Sequence, residues 1–67
     1  MMPWSLFESG GRRMAQVYRH RVRESRPPVP GASVRFTAPD GRWLIGTVKH
    51  FDEARAVVEV QRTSPYA

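Results

Sequence analysis

Ten of the eleven cationic side chains of this chain are arginine, and six of those ten fall within residues 12–26. Arginine carries a planar fork of donors that meets phosphate oxygens two at a time. Wound as a helix, at about 100° per residue, the segment sorts itself into two faces. Met14, Val17, Tyr18 and Val22 share one arc; Arg12, Arg19, Arg23 and Arg26 share the opposite one, with Arg13, Gln16 and His20 along its edge. The guanidinium row would span about 21 Å at 1.5 Å per residue, enough to follow several phosphates. Contacts of that kind position a nucleic acid without reading its bases, and they weaken steeply with salt. Arg21 falls inside the apolar arc. It must reach out along its own stem or meet an acid such as Glu59.

Other chemistry finds little support. Ser5, Ser9, Ser25, Ser33 and Ser64 and the threonines have no credible base and orienting acid beside them, so no enzymatic activity is expected. Gly10-Gly11 falls far short of a phosphate-binding loop. His20 and His50 stand alone, without companions at metal-ligand spacing, and no metal or other cofactor is expected. The chain has no cysteine, so neither disulfides nor a thiolate metal site can add stability.

The net charge is +5, and residues 1–26 hold most of it, with six Arg against Glu8 and Glu24. An uneven basic charge suits a polyanionic partner. An Arg-rich genome would produce the same bias without a function, and the row could equally be the solvated face of a helix docked on its own sheet. No apolar run reaches the roughly 20 residues that span a bilayer. The apolar arc has Arg21 at its centre and no Leu or Phe, so no membrane partner is expected. The opening residues place their charges after the apolar stretch, unlike a secretory signal, and the expected location is cytoplasmic.

The elements that would position these residues follow from punctuation. Residues 1–11 form an aromatic lead ending at Gly10-Gly11, two glycines that cost roughly 2 kcal/mol inside a helix. Residues 12–26 form the basic amphipathic helix. Residues 27–31, rich in proline, make a stiff connector. Residues 32–62 read as three strands: 33–37, with Val34 and Phe36 on one side; 42–50; and 54–62, with Val58 and Val60 opposite Val57, Glu59 and Gln61. Ala38-Pro39-Asp40-Gly41 has the form of a type I turn. Gly46 marks a bulge that would let Ile45 and Val48 face one core. Residues 63–67 form an irregular tail. Three strands leave two raw edges, so the fold must close further or pair with something, a homodimer included.

From Gly31 onward, Gly-x-x-Val-x-Phe, then Asp-Gly-x-Trp-x-x-Gly-x-Val, then Val-Val-Glu-Val resembles small SH3-like barrels of the KOW and Tudor types. The residues are Gly31, Val34, Phe36, Asp40, Gly41, Trp43, Gly46, Val48, Val57, Val58 and Val60, within 31–61. The resemblance implies tight coiling of the strand at Gly46 and an aromatic, Trp43, near a binding groove. Such barrels bind RNA, DNA, modified peptides or Pro-rich segments, and fold analogy does not choose among them.

The expected architecture is therefore α+β, one domain with the basic helix packed on an SH3-like meander. The expected function is a small non-enzymatic nucleic-acid-binding accessory protein. Arg12, Arg13, Arg19, Arg23 and Arg26 would hold the backbone of DNA or RNA, and Arg42, Trp43 and Lys49 would add sheet contacts. The alternative is a protein–protein adaptor or inhibitor that grips its partner through the sheet and through Trp4, Leu6 and Phe7. In that reading, an exposed aromatic cluster is the signal. Trp43 suits either a core position or a stacking platform, and Trp4, Leu6 and Phe7 would otherwise fill the space between helix and sheet.

Overall fold

The computed structural model describes residues 5–65. It contains five strands: β1 (Ser5–Ser9), β2 (Arg12–Tyr18), β3 (Ser33–Thr37), β4 (Trp43–Asp52) and β5 (Val57–Pro65), with one 3-10 turn at Arg19–Arg21. All pairings are antiparallel, and the strand order is β1-β2-β5-β4-β3.

The helix expected over 12–26 is not formed, and the α+β expectation is corrected to a nearly all-β fold. Gly10 and Gly11 adopt φ of 60° and 78°. Two successive left-handed residues make a two-residue hairpin turn whose twist matches the flanking strands. The glycines therefore join β1 to β2, from Ser9↔Arg12 to Ser5↔Gln16. The far edge of β2 pairs with β5, from Met14↔Gln61 to Tyr18↔Val57. Ladders on both edges satisfy the backbone, as a helix would have done. Met14, Val17 and Tyr18 fit a helical arc, but Ala15 and Val17 also fit one side of a strand. Ala15, which the helical reading left out of the apolar face, is fully buried. β-branched Val17 and aromatic Tyr18 favour the pleated form.

The sheet curls until its ends approach. Val22 makes a bridge to Phe36, and the Arg23 N–H donates to the Arg35 carbonyl at 2.8 Å. The segment that follows β2 thus covers the open edge of β3. Inside lie Phe36, Val17, Val48, Val58 and Val60, all fully buried, with Val22, Val34 and Leu44 around them.

Several expectations from 32–62 hold. Gly41 donates its N–H to the Ala38 carbonyl at 2.9 Å, closing the turn at Pro39-Asp40. The connector ends in a second turn, where Ala32 N–H meets the Val29 carbonyl at 3.0 Å across Pro30 and Gly31, the latter at φ 91°. The ladder is irregular beside Gly46, but the extra residue is Thr63 of β5, since Ile45 faces Ser64 and Gly46 faces Arg62. Ile45 therefore stays on the outer face while Val48 enters the core, and the two do not share a side. Gly46 itself has no room for a side chain: a Cβ there would lie 2.7 Å from the Gln61 carbonyl oxygen. A second irregularity places Lys49 as the extra residue of β4, between Val48↔Val60 and His50↔Glu59. That insertion returns Phe51 to the core side.

Candidate nucleic-acid interface

Alternation along strands, not helical pitch, decides where the cations stand. Arg12 and Arg13 are neighbours in β2 and so leave on opposite faces. Arg12 shares the outer face with Met14 and Gln16. Arg13 lies on the core side, beyond the packed residues and opposite Glu8 of β1. Arg19 turns back on the chain, its Nη2 donating to the carbonyls of Glu24 at 2.8 Å and Arg26 at 2.9 Å. It clasps the segment that leads into the connector. Arg23 and Arg26 are exposed in the segment between β2 and the connector, and Arg26 lines a hollow of about 380 Å³ with Glu24, Pro27, Pro28 and Val34. The continuous guanidinium row expected of a helix does not exist.

A different set is brought together. β3 and β4 pair Arg35↔Ile45 and Thr37↔Trp43, while the intervening Val34, Phe36 and Leu44 point into the core. Arg35, Thr37, Trp43 and Ile45 therefore share the outer face. Trp43 is 39% exposed. Arg42 precedes it, and Arg23 lies beside Arg35 through the hydrogen bond that closes the sheet. Arg12 belongs to the same face of β2, two strands from β4. Lys49 is exposed but lies further along β4, beside His50 and Glu59.

Three ion pairs organise the charge among the described residues. Arg35 Nε meets Glu24 at 3.2 Å, Arg42 Nε meets Asp40 at 2.7 Å, and Arg55 Nε meets Asp52 at 3.0 Å. Arg21 is half-buried and does not join Glu59 in such a pair. Burial would raise the Glu24 carboxyl, but the amides of Arg35 and of Glu24 itself and the Arg35 guanidinium hold it below its usual range. The amide and guanidinium of Arg42 likewise lower Asp40. At Asp52 lost hydration raises the value, and the contacts from Arg55 and Ala54 lower it further than that. All three acids stay ionised near neutrality. Among the described residues eight cations remain outside these ion pairs, namely Arg12, Arg13, Arg19, Arg21, Arg23, Arg26, Arg62 and Lys49, against Glu8, Glu53 and Glu59.

The aromatic cluster expected at the start of the chain is divided. Trp4 lies outside the described residues. Leu6, 41% exposed, is on the core side opposite Ala15, whereas half-buried Phe7 is on the outer face opposite Met14. With no helix to cover, neither fills a gap between helix and sheet. The contribution of Ile45, and of Arg35 as a neighbour of Trp43, was readable from the alternation of β3 and β4. The approach of Arg23 was not, because it depends on closure of the sheet. No described helix is long and apolar enough to cross a membrane, and no described group of three His, Cys, Asp or Glu is placed to hold a metal ion.

Comparison with protein-family models, with characterised proteins and with solved structures gives no significant match. The class therefore rests on geometry: a small antiparallel five-stranded sheet, compatible with an SH3-like small barrel.

Proposed function

We propose that this chain is a non-enzymatic accessory protein that binds nucleic acid with little sequence preference, through the outer face of β3 and β4. The observation that carries the reading is Trp43, exposed at the head of β4, with Arg42 beside it and Arg35 and Arg23 on the adjoining edge. An accessible indole suits an unpaired base stacked on the ring, with a phosphate held by Arg23, while Arg42 and Arg35 are paired with Asp40 and Glu24. Such stacking contributes about 1–3 kcal/mol per base and tolerates any sequence. The net charge of +5 adds attraction at long range. The KOW- and Tudor-like pattern of residues 31–61 belongs with this reading, since it puts an aromatic near the groove of such barrels. The helical guanidinium row is no part of it.

The test is a titration of labelled single-stranded RNA, single-stranded DNA and duplex at low and at moderate salt. Binding to single strands that falls with salt, and that drops in a Trp43→Ala variant of unchanged fold, is the expected result. Absence of binding at low salt, or indifference to salt, overturns the proposal.

A further inference from the structure

The two edges of the sheet are treated differently. The edge of β3 is covered by residues 22–24, including the Glu24 carboxylate that accepts the Arg35 N–H at 3.0 Å. No described strand pairs with the outer edge of β1. That edge has none of the usual protections: β1 holds no proline, no bulge and no lysine, and its single charge is Glu8.

We propose that β1 joins two copies of this chain, pairing antiparallel with its own counterpart about a two-fold axis at Phe7. The hairpin sets the register. In a two-residue turn the closing pair, Ser9 and Arg12, exchanges backbone hydrogen bonds, and hydrogen-bonded pairs then alternate along the ladder. Ser9, Phe7 and Ser5 therefore turn their N–H and C=O groups toward β2. Leu6 and Glu8 turn theirs outward.

A two-fold axis at Phe7 places Leu6 of each copy opposite Glu8 of the other. All the outward groups of both residues are then satisfied. An axis at Glu8 would oppose two carboxylates directly, which is destabilising. An axis at Leu6 would set Phe7 of each copy opposite Ser5 of the other and lose the pairing of the two rings.

Side chains agree with the first choice. Phe7 meets its symmetry mate in a non-hydrogen-bonded pair, where side chains approach most closely. Each Phe7 already faces Met14 within its own sheet. Met14 is already buried and Phe7 half-buried in the single chain, so the joint adds the contact between the two Phe7 rings, and aromatic pairs of this kind stabilise antiparallel ladders. The contact is isologous, so assembly stops at two copies.

The native chain has no cysteine, so a single introduced thiol can cross-link only between copies. Oxidation of Phe7→Cys is expected to give a covalent dimer readily, because the axis brings the two positions into disulfide range. Ser5→Cys is expected to stay uncross-linked, its two positions being about 13 Å apart along the paired strands. Sedimentation of the native chain should show twice the chain mass at high concentration, and Phe7→Lys should lower that association. A native chain that remains monomeric to millimolar concentration overturns the proposal. So does cross-linking of Ser5→Cys as fast as Phe7→Cys. The cysteine pair reads the register even where Phe7→Lys perturbs the hairpin.

Discussion

The carboxylate of Glu24 accepts two hydrogen bonds from one residue, the backbone N–H of Arg35 at 3.0 Å and its Nε at 3.2 Å. A side chain thereby takes the place of a neighbouring strand on the edge of β3. Arg23 completes the seal from the backbone side.

This contact makes stability depend on pH. The folded-state value for Glu24 lies below its ordinary 4.5, so the stabilisation is fully present above about that pH and is lost as pH falls through the folded value. Glu24→Gln is expected to lose about 1 kcal/mol near neutrality, a figure kept small because the pair is partly solvated. Urea unfolding of both proteins across the acid range should show their stabilities converging at low pH. A constant difference throughout would contradict the assignment.

Gly46 tests the close approach of β4 to β5. A methyl group there would meet the Gln61 carbonyl oxygen at 2.7 Å, and backbone cannot rotate away as a flexible side chain can. Gly46→Ala should cost about 1–3 kcal/mol, as overpacking does. Gly11→Ala meets open space and should cost about 1–2 kcal/mol, from left-handed strain alone. Chemical denaturation measures both, and only the Gly46 change should also disturb amide shifts along the β4–β5 ladder.

Ala56 sits in the turn between β4 and β5 with φ of 54°, the one non-glycine residue in that region among the described residues. Its N–H reaches the Glu53 carbonyl at 3.3 Å. Ala56→Gly removes the strain while adding freedom to the unfolded chain, and a net gain of up to about 1 kcal/mol is expected. A fall in melting temperature would show that the turn is not strained.

Arginines that the sequence treats alike should separate in experiment. Arg19→Ala breaks the clasp on the Glu24 and Arg26 carbonyls and should lower thermal stability. Arg23→Ala leaves the fold intact and should reduce the salt dependence of single-strand binding by about 0.7 in the logarithmic slope, the share of one phosphate. Equal effects on binding from both changes, with equal stability, would restore the idea of one uniform row.

Legible in residue types alone were the alternation of Val34 and Phe36, the Pro39–Gly41 turn and the opposed faces of Val57–Gln61. Each depends on neighbours one to four residues away, where steric preference and local hydrogen bonding act directly. The arginine excess was readable too, but neither the exposure of Trp43, which suited a core position as well, nor which arginines stand near the indole.

Residues 12–18 were decided elsewhere. Over so short a stretch Met14, Val17 and Tyr18 satisfy a period of 3.6, while Ala15 and Val17 satisfy a period of two, and nothing local separates them. The choice falls to β5, whose Val60 pairs with Ala15 from forty-five residues further along the chain. Once that ladder exists, a strand buries Ala15 and Val17 and closes the sheet through Val22. A helix would have left three strands with two bare edges. The partner that settled the conformation lay too far along the chain for any local pattern to announce it.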